Sequence, residues 1–122
     1  MAALNIAFDA PDNSRSARPS HSRPIDLVHL AAQTAGDKNL EADVLQLFAK
    51  QARTSLQELA SADPKGVKAA AHRLRGAASA VGAFTVAKLA GELEENAGDA
   101  ATTAALAAAV LEAENFILKL SR

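Results

Sequence analysis

A chain of 122 residues that is 49% hydrophobic and 22% charged suffices for one globular domain with a single core and is too short for two. Its formal net charge of −1 supplies no global field for a polyanion, which argues against nucleic acid as the main partner. With no cysteine there is no disulfide framework, no thiolate nucleophile and no sulfur-ligated metal site, so cysteine redox chemistry is excluded.

The amino terminus, MAALNIAFDA, lacks the basic start and long apolar run of a secretory signal, and no later stretch offers some 18 unbroken apolar residues. A cytoplasmic protein is the expectation. The run APDNSRSARPSHSRP from Ala10 to Pro24 is rich in Ser, Pro and Arg without apolar periodicity, so residues 1–23 read as a flexible tail ahead of a domain over 24–122. Pro24 suits the first turn of a short helix carrying Ile25, Leu27, Val28 and Leu30, which stops at Gly36. A long second helix is expected from an Asn39 N-cap to Ser61, with Leu40, Val44, Leu47, Phe48, Ala52, Leu56 and Leu59 at helical spacing.

Asp63 and Pro64 read as the N-cap and first residue of a third helix that ends near Val81, with Gly82 as its exit. A fourth spans about Phe84 to Ala97, burying Val86, Leu89, Ala90, Leu93 and Ala97. The fifth starts near Thr102 or Thr103 and runs to Leu120, burying Leu106, Ala109, Val110, Ala113, Ile117 and Leu120. Short connections between amphipathic helices predict an all-α, antiparallel up-down-up-down four-helix bundle, with the short first helix covering one end.

On the third helix, Val67, Ala70, Ala71, Leu74, Ala78 and Val81 form one apolar stripe. His72 lies outside it, on a face shared with Lys68, Arg75, Gly76 and Ser79. A neutral imidazole nitrogen is a nucleophile at physiological pH, and Lys68 and Arg75 could neutralise the oxygens of a transferring phosphoryl group. Gly76 removes a side chain one turn away, at a helix cost of about 1 kcal/mol relative to Ala. Glu94 on the fourth helix, if it reaches the His72 Nδ1–H, would fix the tautomer and leave Nε2 free. A lone exposed histidine among lysine and arginine is nonetheless most often an ordinary solvated residue.

The run His72-Arg73-Leu74-Arg75-Gly76-Ala77-Ala78-Ser79-Ala80-Val81-Gly82-Ala83 resembles the motif of the histidine phosphotransfer (HPt) domain. The likeness extends to Leu45-Gln46-Leu47-Phe48 and to Leu89-Ala90-Gly91-Glu92-Leu93-Glu94, covering about Ile25 to Leu120. It implies His72 as phosphoryl acceptor, Arg75 as the assisting cation, Gly76 as the access glycine and Glu94 as the imidazole's hydrogen-bond partner. Two departures stand out: Arg75 occupies a position where Lys is common, and Ala77 one where Ser is frequent.

What the resemblance implies is a phosphorelay intermediate that takes a phosphoryl group from one receiver-domain aspartate and passes it to another. Response-regulator receiver domains and a hybrid histidine kinase are the implied partners, meeting Arg73, Gly76, Ser79 and Ala80. The chain would act as a monomer, with no kinase or ATP site, no membrane partner and no cofactor, Mg²⁺ belonging to the receiver. An unphosphorylated four-helix adaptor is the alternative, and a hydrolase fits least, for want of a nucleophile-base-orienter set. His21 and His29 lack acidic neighbours at ligand spacing, and Glu92 and Glu95 read as a solvated face.

Overall fold

The computed structural model describes residues 23–61 and 63–121, so residues 1–22 of the expected tail, His21 among them, lie outside the described residues. Five α-helices follow in order: α1 (Leu27–Gln33), α2 (Lys38–Ser61), α3 (Pro64–Val81), α4 (Phe84–Glu95) and α5 (Ala100–Leu120), with no strand among the described residues.

Aspartates start every helix but α4, whose N-cap Ala83 offers no side-chain acceptor, because a carboxylate both accepts orphan N–H groups and complements the positive end of the helix dipole. Asp26, not Pro24, starts α1: its Oδ1 accepts from the N–H groups of Val28 and His29, each at 3.0 Å. Asp37 displaces the expected Asn39 at α2, its Oδ1 accepting from Leu40 N–H at 3.1 Å, while Asn39 sits inside the helix. Asp99 starts α5 at Ala100, ahead of Thr102 and Thr103, by accepting from Thr102 N–H at 3.2 Å. Asp63 and Pro64 open α3 as expected, with Gly66 N–H donating to Asp63 Oδ1 at 2.8 Å. At α4 the helix stops at Glu95, with Asn96 rather than Ala97 closing it.

The four long helices pack in a ring, α2 against α3 and α5, and α4 against α3 and α5, while α1 lies on α3. The α3–α4 contact is the most extensive of the set, and Ala70, Ala71 and Ala78 on α3 and Ala87 and Ala90 on α4 are buried, small residues that permit close helix packing. Ala70, Ala71, Leu74, Ala78 and Val81 are buried as the stripe predicts, with Val67 half-buried. On α2 the buried line is Leu45, Phe48, Ala52, Ser55 and Leu59, while Leu40 and Leu47 are 44% and 57% exposed. Leucines on two faces of α2 let the sequence suggest the wrong stripe, shifted by a fraction of a turn. Leu120, also expected inside, is exposed, whereas Ile25 is buried just ahead of the helix it was assigned to.

Helix α5 is the one helix among the described residues long and apolar enough to cross a membrane by length and composition. Alanine supplies much of that character, and Leu106, Val110, Ala113 and Ile117 are buried in the bundle. Its Glu114 receives two hydrogen bonds from Arg53 of α2, from Nε at 3.1 Å and Nη2 at 2.8 Å. That hydrogen bonding, and then the carboxylate charge, raises the Arg53 pKa above its ordinary value.

Gly82 fastens α1 to the end of α3. It takes a left-handed φ of 87°, and Ala83 N–H donates back to Ala78 O at 2.8 Å, closing the helix in a Schellman turn. Gly82 O accepts from Asp26 N–H at 2.9 Å, and a Cβ on Gly82 would lie 2.8 Å from Asp26 O. Both backbone angle and contact demand glycine. Gly82→Ala is expected to lower stability by about 1–3 kcal/mol and to expose the α1 amides to exchange first. Chemical denaturation and hydrogen exchange read the two effects; an unchanged midpoint with full α1 protection would contradict this role.

Candidate functional site

His72 and Arg75 of α3 meet Glu94 of α4 across the packed helix pair. His72 follows the buried Ala71, which fixes its Cα at the core edge while its own side chain remains 64% exposed. Glu94 follows the fully buried Leu93 on α4, and its side chain is only 17% exposed. Their polar ends meet, with His72 Nδ1 2.7 Å from Glu94 Oε2. An ionised carboxylate only accepts, so Nδ1 carries the proton and donates, and Nε2 keeps its lone pair.

Arg75, one turn after His72, converges on the same carboxylate. Its Nη1 stands 3.3 Å from Glu94 Oε1, within ion-pair reach. The alignment falls short of a hydrogen bond, and buried Oε1 has no hydrogen-bond partner among the described residues. One carboxylate thus orients the imidazole through one oxygen and faces a guanidinium with the other.

The remaining residues expected at the site divide into two groups. Lys68, Gly76, Ser79 and Ala80 are all exposed on α3. A Cβ on Gly76 would meet no atom within 4 Å, so its missing side chain leaves open room beside the ring. Arg73 turns away from the His72–Glu94 pair and bonds Glu58 of α2, Nη2 to Oε1 at 2.5 Å. Glu92 and Glu95 are exposed. His29 packs edge-on against Phe84, ring centroids 5.1 Å apart, with its Nε2 buried and without a hydrogen-bond partner among the described residues. One residue that sequence reasoning passed over is Gly91, where a Cβ would come within 3.3 Å of Arg75 Cδ. A glycine inside a helix was the available signal.

The described residues contain no cluster of three or more His, Cys, Asp or Glu side chains able to hold a metal ion. Two grooves, of about 300 and 290 Å³, lie at Leu27, Leu45 and Ile117 and at Lys50, Ser55 and Arg73, and neither borders His72. The site is a solvent-facing imidazole paired with a carboxylate beside Gly76, an open arrangement rather than an enclosed pocket. The Hpt-domain family model matches residues 43–119, spanning most of α2 through α5 and every residue of the His72–Glu94–Arg75 cluster. The chain belongs to the Hpt-domain family, whose members carry out histidine phosphotransfer in the phosphorelays of two-component signalling. Such domains are phosphocarriers without kinase activity that interact with response-regulator receiver domains and kinases. No curated protein and no solved structure matches the chain.

If Glu94 sets the tautomer, long-range ¹H–¹⁵N spectra of the neutral His72 ring should show predominantly Nδ1–H in the wild type. Glu94→Ala should move the ring toward the mixture of free imidazole, and a wild-type-like tautomer in that variant would contradict the orienting role.

Proposed function

We propose that His72 is the phosphoryl acceptor of a phosphorelay intermediate, charged by the phospho-aspartate of one receiver domain and discharged to the aspartate of another. The observation that carries this reading is the 2.7 Å pairing of an exposed ring with a largely buried carboxylate within an Hpt-family α3–α4 pair. The Nε2 lone pair attacks phosphorus, the N–P bond forms as the bond to the aspartate oxygen breaks, and the aspartate leaves as carboxylate. Nδ1 keeps its proton, so the ring becomes a phosphorylated imidazolium, and Glu94 stabilises that developing positive charge. Reversal onto a second receiver returns the neutral ring.

Lys68 and Arg75 offset the phosphoryl charge, while Gly76, Ser79 and Ala80 let the receiver approach closely and Arg73 meets its acidic rim. In this reading the receiver supplies Mg²⁺ and this chain has no cofactor, no ATP site, and no nucleic-acid or membrane partner. We take it as a cytoplasmic monomer fed by a hybrid histidine kinase. Connections as short as 62–63, 82–83 and 96–99 support an up-down-up-down bundle with α1 across one end. An unphosphorylated adaptor would need the docking surface but not the His72–Glu94 pair, and no observation favours it.

Incubation with a phosphorylated receiver should label the wild type in an acid-labile, base-stable form, since protonation activates the nitrogen of a phosphoramidate as leaving group. His72→Gln should abolish label while moving stability by no more than about 0.5 kcal/mol, as for an exposed residue. Glu94→Ala and Arg75→Ala should slow labelling by roughly 10- to 100-fold, the scale of a lost orienting partner, and Gly76→Gln should block it. Label that survives in His72→Gln would move the acceptor elsewhere, and a folded wild type that no cognate receiver labels would favour the adaptor.

A further inference from the structure

We infer that Gly91 is a positioning residue for the transfer: a seat on α4 that holds the Arg75 side chain across the interhelical contact, and through it Glu94 and His72. The inference rests on His72 being the acceptor, and it assigns a function to a residue outside the catalytic cluster.

His72 and Arg75 stand three residues apart on α3 and face Glu94 and Gly91, three residues apart on α4, so two one-turn steps oppose each other. Three contacts join the four positions. His72 Nδ1 lies 2.7 Å from Glu94 Oε2, Arg75 Nη1 lies 3.3 Å from Glu94 Oε1, and the Arg75 stem passes over Gly91. A Cβ at Gly91 would sit 3.3 Å from Arg75 Cδ and 3.8 Å from Nη1, so the arginine stem packs tightly over the bare glycine backbone. The contrast with Gly76 is informative, because a Cβ there meets nothing within 4 Å. Gly76 leaves space open for a partner; Gly91 has its space filled from within.

The consequence runs through Glu94. Its Oε1 is buried without a hydrogen-bond partner among the described residues and depends on the Arg75 charge for compensation. A methyl at Gly91 makes the stem give by only a few tenths of an ångström, whereas a larger side chain there displaces it, draws the guanidinium away from Oε1 and frees the carboxylate to turn toward water. The Nδ1–H···Oε2 bond then loses its fixed acceptor, and the ring loses the tautomer bias that reserves Nε2 for phosphorus.

A double-mutant cycle between Gly91→Leu and Arg75→Ala tests this with two readouts: the His72 Nδ1–H fraction by ¹⁵N NMR on the protein alone, and the rate of labelling by a phosphorylated receiver. Gly91→Leu should lower the Nδ1–H fraction and slow labelling about as much as Arg75→Ala does. Added to Arg75→Ala, it should change either readout less than two-fold. If Gly91→Leu unfolds the bundle, Gly91→Ala, which adds helix propensity, should show the same non-additive pattern at smaller amplitude. A wild-type Nδ1–H fraction in the folded Gly91 variant would overturn the seat, and so would slowing that multiplies with that of Arg75→Ala, the mark of blocked docking. The NMR arm needs no receiver, so a wild type that cannot be labelled refutes the acceptor assignment while leaving the seat to be judged by its tautomer.

Discussion

The bond between His72 Nδ1 and Glu94 Oε2 links an exposed ring to a mostly buried carboxylate, and it can form only because α3 and α4 approach closely enough for short bridging. Small side chains favour that approach: Ala70, Ala71 and Ala78 on α3 and Ala87 and Ala90 on α4 are all buried, and alanine lets packed helix axes come close. An exposed ring held this way keeps its outer nitrogen available, while its inner nitrogen carries a fixed proton. A nucleophile is thus preorganised without the enclosing pocket that would bar a second protein.

The site is economical in its electrostatics. Glu94 divides its two oxygens between the imidazole Nδ1–H of His72 and a guanidinium that is always charged. Lys68, exposed on the same side of α3 as His72, is not part of that cluster and makes no ion pair among the described residues. Arg73, though adjacent to His72 in sequence, points a different way around the helix and is held by Glu58. The 100° step per residue therefore separates two neighbouring arginines into different environments.

Much of α3 was legible in the sequence because its punctuation is strong: Asp63 and Pro64 at one end, Gly82 at the other, and a stripe from Ala70 to Val81 between them. The caps of α1, α2 and α5 were misplaced because Pro24, Asn39 and Thr102 are also acceptable starts, and only the structure shows an aspartate taking the orphan N–H groups. Leu47 was expected inside and is 57% exposed, since leucines occupy more than one face of α2 and nothing local decides between them. Glu94 lies 22 residues from His72, and no helical periodicity links them. Resemblance to the family suggested the pair, and the structure supplied its geometry. Gly91 was illegible as a site residue because its meaning depends on which way Arg75 crosses to the neighbouring helix, a property of packing and not of spacing.

In the proposed transfer Glu94, by holding the proton on Nδ1, reserves Nε2 of His72 for the phosphoryl group. Identifying the phosphorylated nitrogen by ³¹P–¹H and ¹⁵N NMR of the receiver-labelled protein tests this most directly. Phosphorus is expected on Nε2 with Nδ1 still protonated and bonded to Glu94; phosphorus on Nδ1, or on any other residue, would contradict it.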